Sequence, residues 1–333
     1  MDIIQKTLPG VKKNILLRDY TTFKIGGRAK YFFVAKTKED LILAVKVAKK
    51  NKLPFFILGG GSNLLVADKG FKGLVIKIQN SRFKIQNYKI RVEAGTMLTG
   101  LLNASLKAGL TGLEWAVGIP GTVGGAIYGN AGTPKESMKD IVKEVELFDV
   151  KTEKNKIFKN KDCKFDYRES IFKKNKKLVI LSTILKLKKG NKKEIKNKTN
   201  NYLNHRKDTQ PLNFPSAGSI FKNPRLRPAF TKVSAGKQGY GGQAKDFLVG
   251  KIGEENKFSS SVFTAAQLIE KCILKGKRIG NVKISEKHAN FIVNLGQGKA
   301  KDVKKLIELA KKRVKNKFGI GLEEEICYLG FKN

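Results

Sequence analysis

The sequence predicts an α+β fold of two or three lobes. Its 333 residues exceed the usual size of one domain, and a hydrophobic content of 41% leaves ample material for a buried core. Amphipathic helical stretches and alternating strand-like runs are interspersed from end to end without an internal repeat. Two glycine-rich clusters, "GGGSN" at 59–63 and "GLEWAVGIPGTVGGAIYGNAG" at 112–132, emerge from apolar sequence rather than from the polar residues of a linker.

"TKEDLILAVKVAKKN" reads as a helix: Thr37 is placed to cap it, Asp40 stands at the capping-box distance, and Leu41, Val45 and Ala48 share a face. "LPFFILGGGSNLLV" reads as a buried strand running into a glycine turn, and "GLVIKI", "FKIQ" and "KIRVEAG" as further strands. "TMLTGLLNASLKAGL" is a helix ending near Gly109. "VKEVELFDV" and "LVILSTILKLK" are strands flanking "CKFDYRESIFKK", and a Lys/Asn-rich helix over 192–206 leads to "QPLNFP", whose prolines mark a boundary. Residues 225–262 are rich in Gly, Ser and Lys without periodicity, which predicts a surface insertion. "AAQLIEKCILKG" resumes helix, and "AKDVKKLIELAKKRVKNKFG" places Val303, Leu306, Ile307, Ala310 and Val314 on one face before Gly319. "IGLEEEICYL" is expected to close the chain as a strand, with Glu323 and Glu325 on one face and Glu324 on the other.

The net charge of +40 raises nucleic acid as a partner, but the excess is almost all lysine, spread along the whole chain. Arginine, suited to bidentate recognition of bases and phosphates, is scarce. A solvated lysine surface that attracts small anions is the expectation, with no specific nucleic-acid partner. Cys163, Cys272 and Cys327 show no CxxC spacing, so neither a disulfide framework nor a metal site is expected. No apolar run reaches the about eighteen residues of a membrane span, and "MDIIQKTLPGVKKN" lacks the apolar centre of a signal peptide. A monomer in the cytoplasm follows as the expectation.

Neither glycine cluster matches GxGxxG or GxxxxGK[ST]. Two readings stay open. Glycines permit backbone crossings in tight turns, and they also let successive N–H groups form an anion-binding concavity. Two clusters of this kind suit the two ends of an extended nucleotide cofactor.

"TTFKIGGRAKYF", "GGGSNLLVAD", "GIPGTVGGAIYGNAG", "DYRES", "PSAGSIFKNP", "SEKHANFIVN" and "LEEEI" occur together in this order. Across nearly its whole length the chain resembles the UDP-N-acetylenolpyruvoylglucosamine reductases, flavoenzymes of bacterial peptidoglycan precursor synthesis. The resemblance implies a two-lobed FAD-binding module of the vanillyl-alcohol-oxidase/PCMH type plus an α+β substrate-binding domain. It divides the chain into lobe 1 at 1–68 and 318–333, lobe 2 at 69–205, and the substrate domain at 212–317. It implies noncovalent FAD, because His205 and His288 are far from either cluster in sequence, and NADPH as hydride donor. Gly59, Gly60, Gly61, Ser62, Asn63, Ile119, Pro120, Gly121, Thr122, Gly124 and Gly125 fall near the FAD pyrophosphate by this match.

The family's chemistry adds a hydride to an enolpyruvyl double bond and then needs a proton. By motif match Arg168 holds the carboxylate, Ser219 donates the proton and Glu325 supports the intermediate. Asn223, Lys275 and His288 match substrate contacts. Taken without the match, Arg168 reads equally as a surface ion-pair partner, Ser219 as a turn hydroxyl and Glu325 as one of three exposed acids. Two departures stand out: Cys327 occupies a position where members carry Lys or Arg, and 225–262 is longer than in the compact subclass. Another FAD oxidoreductase of the same superfamily and a lysine-rich nucleic-acid-binding protein are the competing readings.

Overall fold

A computed structural model describes residues 2–224 and 263–331. The stretch 225–262, expected as a surface insertion, lies outside the described residues.

The first sheet orders Lys12–Leu16, Arg28–Ala35, Phe71–Ile78 and Phe55–Leu58, the first pair antiparallel and the others parallel. Parallel strands need both faces covered. The helix Lys38–Lys50 covers one: Thr37 and Asp40 close the expected capping box, and Leu41, Ala44, Val45 and Ala48 join Tyr31, Phe33, Leu74 and Ile76 in the largest core. Phe32, Leu58, Val66 and Val75 form a smaller core on the other face. Because Phe71–Ile78 lies between Arg28–Ala35 and Phe55–Leu58, the boundary expected at 68/69 falls inside one sheet. Local periodicity identifies a strand but not the partner it takes.

The second sheet is antiparallel, ordered Lys154–Lys159, Val142–Asp149, Leu178–Lys186, Lys89–Glu93 and Phe83–Gln86. The helix Leu98–Lys107 and the fully buried Trp115 pack into the same main core. The Lys/Asn-rich helix runs over Lys192–Thr209, with Asn191 capping its start. The third sheet, ordered Ser216–Ser219, Phe291–Asn294, Val282–Ile284 and Arg278–Ile279, has its own core with Ala265–Lys271 and Ala300–Phe318. The expected face of Ala300–Phe318 is buried, and Gly319 ends the helix in the left-handed region at φ 70°.

The closing segment departs from the expected strand. Only Cys327–Leu329 is extended in a ladder, parallel to Leu64–Val66, while Glu324 makes an isolated bridge with Phe221. The segment changes partners within a few residues, so its three glutamates do not alternate across one sheet. Glu323 pairs with Lys222, Glu324 with Lys311 and Glu325 with Arg168. Phe318, Leu322 and Ile326 belong to the core of the third sheet, although 318–333 was expected with the first lobe. The three cysteines are free thiols, and no helix among the described residues is long and apolar enough to cross a membrane.

Candidate active site

A cavity of about 1880 Å³ opens where the three sheets meet. That exceeds the roughly 300–1,000 Å³ typical of a single drug-sized ligand. Gly59 to Asn63, Ile119 to Thr122, Gly124 and Gly125 all line it, as do Arg168, Ser219 and Glu325.

The two glycine loops lean on each other. A Cβ on Gly59 would stand 2.5 Å from Thr122 Oγ1, and one on Gly60 would stand 2.7 Å from the Pro120 carbonyl. Both readings of the glycines therefore hold at once: some permit the backbones to cross, and the crossing shapes a concavity. Gly124 is a packing glycine, because a Cβ there would meet the Ala94 Cβ at 2.8 Å. Gly121 and Gly125 keep open faces, with nothing nearer than 3.5 Å and 3.4 Å respectively. The N–H groups of Gly60, Gly61, Ser62 and Asn63 have no acceptor among the described residues. Such a row of donors suits an anionic diphosphate.

Arg168 sits at the tip of a tight turn closed by reciprocal backbone hydrogen bonds between Asp166 and Glu169. Its φ of 56° lies in the left-handed region, which a non-glycine residue holds at a free-energy cost repeatedly seen at functional sites. Arg168 Nε stands 2.8 Å from Glu325 Oε1 but off the N–H axis, so the pair is a charge contact and the Nε–H keeps no aligned acceptor. Burial raises the Glu325 carboxyl above its ordinary range, and the Arg168 charge offsets part of that rise.

Ser219 comes to this pair through backbone pairing. Ser216–Ser219 lies against Phe291–Asn294, and the next residues run along the closing segment: Glu325 N–H donates to the Ile220 carbonyl at 2.7 Å, and Lys222 N–H to Glu323 at 2.8 Å. Sequence segments far apart thus converge on one wall.

Asn223, Lys275 and His288 are not among the lining residues. Asn223 Oδ1 accepts from Ala265 N–H at 3.1 Å, at the start of the helix Ala265–Lys271, and its own N–H donates to Tyr167 Oη at 3.2 Å. Lys275 is exposed and pairs with Glu270. His288 Nδ1 accepts from Asn290 N–H, its ring meets Phe291 edge-on at 4.9 Å, and burial lowers its pKa. His205, distant from the glycines in sequence, reaches the cavity from the helix Lys192–Thr209, so sequence separation alone does not exclude it from the flavin.

Comparison with known proteins accounts for this arrangement. Residues 29–154 match the FAD binding domain family, and 210–329 match the C-terminal domain of UDP-N-acetylenolpyruvoylglucosamine reductase. The reductase of that name from Caldicellulosiruptor bescii is 40% identical over 94% of this chain and 89% of its own. The chain belongs to the UDP-N-acetylenolpyruvoylglucosamine reductase family. The Prochlorococcus marinus reductase is 37% identical, over 96% of this chain and 98% of that one. The crystal structure of the Thermus caldophilus reductase aligns with a TM-score of 0.71 at 33% identity, covering 96% of this chain and 98% of the other. Both glycine loops fall within the FAD-binding match, and Ser219 and Glu325 within the reductase match. Arg168 lies between the two spans, and its place in the site comes from the turn geometry alone.

Two contributors escape a reading of the sequence, and a third takes a role other than the one expected. Lys222 is buried and its ammonium joins Glu169, beside Arg168, to Glu323, two residues before Glu325. Lys173 Nζ donates to the Arg168 carbonyl at 3.0 Å, steadying the turn. Asn63, expected at the cofactor, turns its amide to the Glu325 carbonyl. Only Lys222 carries a local signal, since it adjoins Asn223 within "AGSIFKNP".

Proposed function

We propose that this protein reduces UDP-N-acetylglucosamine enolpyruvate to UDP-N-acetylmuramate with electrons from NADPH, using noncovalently bound FAD. The observation that carries the reading is the Arg168–Glu325 contact on the same cavity as Ser219 and both glycine loops. Residue identities and cavity fit the cofactor: a row of free N–H donors, open faces at Gly121 and Gly125, and room beyond what one small ligand needs.

FAD held between the two glycine loops would supply the hydride chemistry that links NADPH to the enolpyruvyl double bond. The residues supply the rest. Arg168 holds the substrate carboxylate and stabilises the negative charge that grows on the adjacent carbon. Ser219 gives that carbon its proton, completing the reduced lactyl group. Glu325, whose carboxyl burial raises above its ordinary range while the Arg168 charge offsets part of that rise, supports the intermediate beside Arg168. Asn223, Lys275 and His288 belong in this reading to substrate contacts made beyond the cavity wall, and Cys327 contributes no cation there.

A two-lobed FAD-binding part, its first lobe reaching past residue 68 to include Phe71–Ile78, and a substrate domain beginning near residue 212 are part of the same proposal. So are a cytoplasmic location, which the free thiols support, and a monomeric state.

Anaerobic mixing tests the reading. NADPH should bleach the flavin absorbance and the enolpyruvyl substrate should restore it. Bleaching by NADPH with no return on adding substrate would point instead to another FAD oxidoreductase. Flavin that stays with acid-precipitated protein would overturn the noncovalent attachment and direct attention to His205.

A further inference from the structure

The strand Phe71–Ile78 sends Leu74, Ile76 and Ile78 into the main core and Val75 to the opposite face. Alternation puts Lys77 on the Val75 face, in parallel register with Leu58, at the carboxyl end of the strand. Its half-buried ammonium donates to the Gly59 carbonyl. No carboxylate pairs with it among the described residues, and burial draws its pKa below the ordinary lysine value. A cation placed there is costly until an anion arrives to balance it.

The Gly59–Gly60 peptide is trans, so its N–H points away from the carbonyl that Lys77 holds. That N–H, like those of Gly61, Ser62 and Asn63, has no acceptor among the described residues, and all four residues line the cavity. Thr122 closes on Gly59 from the other side, leaving no room for a Cβ. The peptide is held from two directions with its donor free.

We propose that Lys77 is the buried counter-cation of the first glycine loop, fixing the Gly59–Gly60 peptide and adding positive charge for the diphosphate of the bound dinucleotide. The inference rests on the reading that this cavity takes FAD. What it adds to the 59–63 loop is a charge that the glycine pattern itself does not contain.

The full-length apoprotein as wild type, Lys77→Met, Lys77→Gln and Lys77→Arg is titrated with FAD, ADP and riboflavin at low and high salt. Fluorescence reads the flavins, calorimetry reads ADP, and thermal melts verify folding. Lys77→Met and Lys77→Gln should each weaken FAD and ADP by about tenfold or more, the scale of one charge-assisted contact, with a flatter salt dependence. Riboflavin, which has no phosphate, should bind all four proteins alike, and Lys77→Arg should keep its affinity for FAD. If Lys77→Gln binds FAD and ADP as wild type does, or if riboflavin weakens as much as FAD, the counter-cation is refuted. Failure of the wild type to bind FAD is a different result and refutes the reading of the cavity.

Discussion

Asn63 Nδ2 donates to the Glu325 carbonyl at 3.1 Å, joining residues 262 positions apart. The Cys327 N–H returns to the Asn63 carbonyl at 2.9 Å, so the glycine loop and the acid's backbone form one clamp. Asn63→Ala should lower stability by about 1 kcal/mol, the net worth of one hydrogen bond. It should leave FAD affinity near wild type, while displacement of Glu325 slows substrate-driven reoxidation by about tenfold or more. Stopped-flow comparison of the two half-reactions checks this. Reoxidation at the wild-type rate would show that the clamp does not position the acid.

Gly124 and Gly125 should respond differently to the same change. A side chain on Gly124 runs into Ala94, so Gly124→Val should lower the melting temperature whether or not flavin is present. A side chain on Gly125 projects toward Thr122 at 3.4 Å and the cavity, so Gly125→Val should fold but purify with little flavin. Thermal melts of the apoproteins and flavin content per chain give the answer. A stable, flavin-poor Gly124→Val would mean that the Ala94 contact yields easily.

Ser219 separates the two halves of the reaction. Flavin reduction by NADPH needs no proton from this hydroxyl, whereas protonation of the substrate carbon does. Ser219→Ala should be reduced at a near-normal rate yet reoxidised by substrate about 10²- to 10⁴-fold more slowly. Equal slowing of both halves would make Ser219 a structural residue beside the flavin.

The raised pKa of Glu325 has a definite sign in stability. Its folded-state value lies above the ordinary 4.5, so the contribution of the neutral acid is full below about that pH and is lost as pH rises through the folded value. Urea midpoints from about pH 4 to about pH 8 should therefore contain a decline that Glu325→Gln lacks. Arg168→Met removes the offsetting cation and should move that decline to higher pH. Identical pH profiles for wild type and Glu325→Gln would refute this titration.

Helices with both a cap and a periodic face were legible in the sequence, as at Thr37–Lys50 and in Ala300–Phe318 with Gly319 behind it. Those signals lie within one turn of the residues they govern. The glycine loops were legible as places of close approach, but what approaches was not: Gly124 answers to Ala94 and Gly60 to Pro120, contacts that no spacing encodes. The same holds for Phe71–Ile78, a clear strand whose place between Arg28–Ala35 and Phe55–Leu58 depends on a crossover. Of the candidate site, Arg168, Ser219 and Glu325 were found by motif and are brought to one cavity. Lys77 was hidden among many lysines, and Lys222, whose one local signal is its place beside Asn223, stands out chiefly by its burial.

The parallel pairing of Cys327–Leu329 with Leu64–Val66 also sets a timetable for the molecule's birth. A ribosome makes the 59–63 loop long before it makes residue 325, and such distant pairings form late. Until then the edge at Leu64–Val66 stays open, a surface that invites wrong partners and chaperones alike. A nascent chain halted before residue 325 holds the glycines without the acid that Asn63 clamps. Completing the chain therefore closes that edge and sets the acid beside the glycines in a single event.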